Sequence, residues 1–345
     1  MKFSLFAHME RLHSGQTYRE LYEDFLSLCV LADEGGMRAV WTGEHHAMDF
    51  TIAPNPLITI ADLAGKLKNV QLGTGTIVAP FWHPIKLAGE IAMTDIITHG
   101  RLEIGIARGA YSYEYERLMP GMDAKEAGAR LREILPAIKQ LWLGNYTHDG
   151  AYYSFPETTS TPKPQQVSGP PIWVAARDPN SHEFAVANNC NVQVTPLWQD
   201  YHEVVELMRR FQAARNKCNG KFQPKIMILQ HTFVGANEEE IEMAANCLSR
   251  FYCHFGAWFK NERAVQQALM EPLTDNEIAA MEMYSPKVMR ENLVIGTAQE
   301  IIDLLKRYED LGFDEFSYWI DSGMSTKQKR ISLMRFIDDV MPAFQ

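Results

Sequence analysis

Two arginines in this chain stand where they can hold one anion together. Arg108 closes the apolar run 102–107 and is followed by Gly109, while Arg177 opens Arg177-Asp178-Pro179-Asn180-Ser181, which leads straight into a segment of helical spacing. Guanidinium groups bind phosphate oxygens in pairs, and the free N–H groups of a helix start complement the same charge, so the combination suits a phosphate monoester. The competing reading pairs each arginine with an acidic neighbour on the rim. A second constellation is Glu44-His45-His46. Adjacent residues at a strand end point in opposite directions, so only one of the two histidines can project into a shared mouth. His8, His83 and His231 add further imidazoles, but no pair has a helix-face spacing such as H-x-x-x-H, and no metal site is expected. A neutral histidine beside a cofactor, giving or taking a proton near pH 7, suits the triplet better; the alternative is an imidazole hydrogen-bonded in the rim for structural reasons.

The elements that would position these residues alternate regularly. Runs rich in apolar and β-branched residues recur at 3–7, 39–42, 70–78, 102–107, 172–176, 191–195, 226–234 and 316–320. Between them apolar residues fall at three- and four-residue steps, as at Leu21, Phe25, Leu28 and Leu31, the spacing of amphipathic helices. Alternating strands and helices imply a parallel sheet with right-handed crossovers, and eight such units close most naturally into an α/β fold of the (β/α)8 TIM-barrel type. A doubly wound open sheet would carry a glycine-rich phosphate turn after its first strand, and none follows Ala7.

Ligands of such a barrel bind at the carboxyl ends of its strands. There the chain delivers His8, the 44–46 triplet, Gly75 and Thr76, Arg108 with Tyr111 and Glu114, Arg177 with Ser181, Gln193 with Thr195, His231, and Trp319 with Asp321. Glycine inside the third strand suggests a bulge or a close backbone approach by a ligand. Of the aromatic residues near these segments most are packing, and a subset among Trp82, Tyr111, Trp258 and Trp319 can stack on a planar ring. The chain is expected to be one domain over 1–345. Segment 259–294, without a strand, reads as a lid inserted before the last β/α unit. Residues 152–171, with Pro156, Pro162, Pro164 and Pro170, read as an irregular surface connection.

Composition narrows the partners. The 345 residues are 46% hydrophobic and carry a net charge of -10, from 33 Lys and Arg against 43 Asp and Glu, which disfavours a bulk electrostatic grip on nucleic acid or an anionic membrane. Five cysteines without a C-x-x-C pair argue against a disulfide framework or structural zinc and fit a reducing cytoplasm. The first residues are apolar too briefly for a signal segment or a membrane span.

At these residues the chain resembles the bacterial luciferase-like superfamily of flavin-dependent monooxygenases. The likeness runs through 40–46 (VWTGEHH), 72–76 (LGTGT), Ala79-Pro80 to His83-Pro84, 105–109 (GIARG), 294–297 (VIGT) and Val340-Met341-Pro342. The resemblance implies a barrel that binds reduced FMN noncovalently, supplied by a separate NAD(P)H:flavin reductase, directly or by diffusion. It assigns Arg108, Arg177 and Ser181 to the flavin phosphate and places Gly75-Thr76 beside the isoalloxazine through a non-prolyl cis peptide. Thr195 joins the cofactor-binding set, His45 manages protons at the flavin, and Glu114 tunes the ring. A C4a-hydroperoxide formed with O2 would then oxygenate a small substrate. Ala107 stands where the luciferase catalytic subunit has cysteine, and nothing supports light emission. The runs 81–84 (FWHP) and 109–115 (GAYSYEY) look like a subgroup of two-component oxygenases that includes one acting on N-methylnicotinate (trigonelline); an aromatic-rich mouth with a carboxylate suits such a cationic heteroaromatic, and the same side chains also suit an aldehyde or a sulfonate. Relatives imply a homodimer. A deazaflavin (F420)-dependent dehydrogenase on the same barrel and a flavin-binding protein without turnover are the alternatives.

Overall fold

The computed structural model describes residues 1–11, 15–218 and 222–344. Eight parallel strands close on themselves: β1 Lys2–Phe6, β2 Ala39–Thr42, β3 Gln71–Val78, β4 Leu102–Ala107, β5 Ile172–Ala175, β6 Asn191–Val194, β7 Ile226–Val234 and β8 Glu315–Trp319. Each pairs with the next in this order, and β8 returns to β1 with Phe6 opposite Trp319. All eight coincide with the runs read from the sequence, and the architecture is the expected (β/α)8 barrel.

Period-two alternation builds two cores from the same strands. Leu5, Val40, Leu72, Val174 and Ile228 face the surrounding helices, whereas Phe6, Trp41, Trp173, Met227 and Trp319 fill the lumen. Trp41 is fully buried, and room for its ring comes from Gly73, where an added Cβ would lie 2.0 Å from the indole. Below this layer Arg38 donates to Glu103 at 2.5 Å and to Glu315 at 2.6 Å. The indoles of Trp173 and Trp41 donate to the same two carboxylates, at 2.7 and 3.3 Å.

Two expectations about the connections need correction. Segment 259–294 contains a small antiparallel ladder, Val265–Gln266 with Leu269–Met270, followed by the short helices Asp275–Ala280 and Pro286–Asn292. A further strand, Val294–Gly296, then adds to the end of β7. The connection 152–171 is likewise not wholly irregular, because Ser154–Thr158 pairs with Tyr146–Asp149. Pro156 is tolerated there because the ribbon has only two strands and its register slips beside that residue. No described helix is long and apolar enough to cross a membrane.

Candidate active site at the barrel mouth

The carboxyl end of β2 opens into Glu44-His45-His46, whose side chains diverge as strand geometry requires. Glu44 is buried and ties this end to the end of β3, accepting from the Val78 N–H at 2.8 Å, from Trp82 Nε1 at 3.0 Å, and bonding His46 Nε2 at 2.7 Å. Burial disfavours the His46 imidazolium, but the hydrogen bond and charge of Glu44 and the charge of Glu114 outweigh it, so its pKa stands above the ordinary value. His45 turns the other way. Its Nδ1 lies 3.4 Å from Glu114 Oε2, and its ring centroid is 5.4 Å from Tyr111 and 5.6 Å from His8. Glu114 is itself buried and accepts from the His46 N–H at 2.6 Å. His45 and Glu114, expected separately as site residues, are therefore neighbours, with Tyr111 as a buried wall whose phenol is kept protonated by burial and by the Glu114 charge.

Arg108 and Arg177 lie just past the ends of neighbouring strands, since β4 and β5 pair with Ile106 opposite Val174. Arg108 is exposed, donates to the Ala124 carbonyl at 2.9 Å, and has no carboxylate partner among the described residues. Tyr115 donates to the Arg108 carbonyl at 3.0 Å; burial, opposed by the Arg108 charge, pushes its pKa up to about 12. Arg177 is more committed, lying 3.8 Å from Glu203, which also binds Arg210 at 2.9 Å. The helix Pro179–Ala187 is capped by Asp178, which accepts from the Ser181 N–H at 3.1 Å and from Ser181 Oγ at 2.5 Å. An anion at Ser181 thus has to share the hydroxyl with that cap.

The third strand reaches the mouth through a cis peptide between Gly75 and Thr76, just inside a register shift against β4. Both residues are half-buried. Thr195 is spent locally, its Oγ1 accepting from the Leu197 N–H at 3.1 Å. Trp258 packs edge-on against Tyr113 at 5.1 Å in a buried cluster with Met48 and Tyr111, and the ladder residues Val265 and Met270 pack onto it. The Asp49 N–H also donates to the Ala268 carbonyl at 2.9 Å, which joins the ladder turn to the segment after β2.

The pair His8–Asp321 did not enter the predicted catalytic set. His8 follows β1 and Asp321 follows β8, and barrel closure makes these neighbours. Asp321 accepts from His8 Nδ1 at 2.9 Å, from the His8 N–H at 3.2 Å and from Trp319 Nε1 at 2.9 Å. Burial alone would raise the Asp321 carboxyl, but the hydrogen bond and charge of His8 and the charge of Lys329 hold it below the ordinary range. Trp319 in turn stacks on His231 at 3.7 Å, and His231 Nδ1 meets the Tyr252 hydroxyl at 2.8 Å. Burial lowers the His231 pKa to about 3, so its ring is neutral. Among the described residues no group of three or more His, Cys, Asp or Glu side chains is placed to hold a metal.

The model of the luciferase-like monooxygenases matches residues 1–315. The chain belongs to the luciferase-like monooxygenase family. It is 62% identical over 344 residues to the oxygenase component of the flavin-dependent trigonelline monooxygenase of Acinetobacter baylyi, covering 100% of this chain and 96% of that protein. Among solved luciferase-like folds, the monooxygenase RslO1 of Streptomyces bottropensis superposes with a TM-score of 0.83 at 22% identity, over 100% of both chains. The oxygenating constituent of 3,6-diketocamphane monooxygenase of Pseudomonas putida, solved with FMN, gives 0.78 at 18%, over 99% of this chain and 98% of that one.

Proposed function

We propose that this luciferase-like protein is the oxygenase component of a two-component monooxygenase that takes reduced FMN from a separate NAD(P)H:flavin reductase and oxygenates N-methylnicotinate. The observation that carries this reading is the 62% identity, end to end, with a trigonelline monooxygenase oxygenase component.

The mouth fits a flavin on its own terms. An exposed arginine without a carboxylate partner stands at the end of β4. A buried imidazole nitrogen, His8 Nε2, has no hydrogen-bond partner among the described residues, and Gly43, where a Cβ would lie 2.6 Å from that nitrogen and 3.1 Å from the Gly75 carbonyl oxygen, lets the ends of β1, β2 and β3 approach closely. Arg108 would hold the phosphate, with Arg177 and Ser181 contributing if they loosen from Glu203 and Asp178. Gly75 and Thr76 would lie along the ring system, with Thr195 at its far side. Bound as reduced FMN, the cofactor would supply the two electrons that let O2 give one oxygen atom to a substrate and the other to water.

His45, braced by Glu114, holds and moves a proton beside the ring. Tyr111, Trp82 and Trp319 wall the substrate side, where aromatic faces attract an N-methylpyridinium cation. Segment 259–294 acts as the lid: its ladder, packed on Trp258 and Tyr111, keeps water from that side. The protein works in the cytoplasm as a homodimer. Exposed apolar side chains on the adjoining helices Pro56–Lys66 and Pro84–Ile97, among them Ile58 at 70% and Met93 at 50% exposure, support a subunit interface there.

The test is an aerobic assay with reduced FMN, N-methylnicotinate and 18O2. We expect substrate-dependent oxygen uptake and one labelled oxygen in the product. Flavin binding without product would instead identify a carrier, and hydride transfer to or from F420 without oxygen uptake a dehydrogenase; either result overturns the proposal.

A further inference from the structure

Beside His46–Glu44, which ties the ends of β2 and β3 together, the mouth holds two further imidazole–carboxylate pairs, and only His45–Glu114 has been given a proton-transfer role. Of these two, His8–Asp321 is the better ordered. His8 is buried, with 3% of its side chain exposed against 20% for His45, and its contact with Asp321 is 2.9 Å against 3.4 Å for His45 with Glu114. A carboxylate can only accept, so an ionised Asp321 requires the proton of the neutral His8 ring to sit on Nδ1. The bonds from the His8 N–H and from Trp319 Nε1 leave Asp321 little freedom to turn. Phe6 and Trp319 pack edge to face at 5.4 Å, and Phe6 meets the His8 ring at 4.7 Å.

The bare nitrogen, Nε2, is then buried and has no hydrogen-bond partner among the described residues. Such an atom is costly unless something else satisfies it. It lies against Gly43, where a Cβ would come within 2.6 Å of it and 3.1 Å of the Gly75 carbonyl oxygen, so it sits beside the cis peptide and, ring to ring, 5.6 Å from His45.

We propose that His8 is a second proton-transfer residue of this site, with Nε2 directed at the substrate and Asp321 as its positioning residue. The inference rests on the oxygenase reading given above for what the substrate is. In the overall balance, R + O2 + FMNH2 → RO + H2O + FMN, both electrons and both protons of the water come from the reduced flavin. His8 therefore enters as a shuttle: its lone pair takes a proton in one step of oxygen transfer and returns it in a later one, with no net gain. The titratable and charged groups around it are Asp321 and, beyond it, Lys329 on the β8 side, His45 and Glu114 on the β2 side, and His231 behind Trp319.

Two measurements test this. In the flavin-free protein labelled with 15N-histidine, long-range 1H–15N correlation should show the neutral His8 ring protonated at Nδ1 and bare at Nε2, with Asp321→Asn mixing the two tautomers. A ring protonated at Nε2 overturns the proposal. In the flavin-loaded enzyme, His8→Asn keeps a donor for Asp321 but removes the basic ring nitrogen that can take up a proton. It should bind FMN within about twofold of wild type while kcat falls roughly 10²- to 10⁴-fold, the usual range for a lost general acid or base. His8→Gly should recover part of that loss with added imidazole. Turnover of His8→Asn within about twofold of wild type also overturns the proposal. If His8→Asn does not fold, the tautomer measurement on the wild-type protein decides. Absence of turnover by wild type itself would fail the substrate reading, and the same tautomer measurement would still show whether His8 is set to accept.

Discussion

The two ends of the barrel lumen are built from the same ingredients and treat them oppositely. At the amino-terminal end Arg38 spans Glu103 and Glu315, and the indoles of Trp41 and Trp173 donate to the same carboxylates. At the mouth Asp321, Glu44 and Glu114 are also buried among aromatic rings, yet among the described residues His8 Nε2 has no hydrogen-bond partner and Arg108, in solvent, has no carboxylate. Buried polar groups are normally paired, so on the reading proposed above the unpartnered His8 Nε2 is where a ligand completes the mouth. On the same reading the closed, amino-terminal end serves stability and the open, carboxyl end serves the ligand.

Breaking the closed end should have the largest effect. Arg38→Met leaves two nearly buried carboxylates facing one another without compensation, a change that typically costs about 3 to 5 kcal/mol. Urea unfolding should register that loss, while FMN affinity per folded molecule stays as in wild type. A variant that keeps its stability but loses flavin would mean that the two ends are not separable.

The mouth should answer in the opposite sense. Arg108→Ala removes an exposed side chain with one bond to a carbonyl, so its Tm should barely move, whereas FMN binding should weaken by about 1.5 to 3 kcal/mol if the guanidinium makes a charge-assisted phosphate bond. Unchanged affinity by titration would remove Arg108 from the phosphate site. Arg177→Ala is the control within the same region. Because Arg177 is already drawn toward Glu203, part of its gain on meeting a phosphate is spent on leaving that neighbour, and the loss of affinity should stay below about 1 kcal/mol. Equal losses at both arginines would show that the Glu203 contact does not persist when the site is filled.

These contrasts were unevenly legible in the sequence. The strands were readable because each is a short, nearly continuous apolar run, as at 39–42 and 172–176, set between segments of helical spacing; which of their side chains face the lumen, such as Trp41 and Trp173, was not. His45 and Glu114 as individual site residues, the cis peptide at Gly75-Thr76 and the placing of both arginines at strand ends were reached through family resemblance and strand order, whereas the contact between His45 and Glu114 was not. What escaped depends on closure. His8 and Asp321 are 313 residues apart and meet only because β8 returns to β1. Glu203 reaches Arg177 from a separate helix, Tyr201–Lys217, that no local spacing connects to it. The Val265–Gln266 ladder has two residues per strand, too few to leave any periodicity.

The smallest expected effect separates the two ends by pH. The His46 pKa is raised above its ordinary value of 6.5, so its contribution to stability is fully present below that value and is lost as pH rises through the folded-state pKa. Replacing Glu44 by Gln removes the charge that sustains the shift. The variant should therefore lose more stability relative to wild type at pH 5.5 than at pH 8.5, on top of a constant cost from weaker bonds to Val78 and Trp82. Since a quarter of the His46 side chain is exposed, screening should keep the pH-dependent part below about 1 kcal/mol. The bottom cluster of the wild-type protein offers the reference, because the arginine that holds it together does not titrate in this range. If the Glu44→Gln cost is flat with pH in urea titrations, His46 does not gain its proton from this pair, and the mouth would be no more responsive to pH than the closed end.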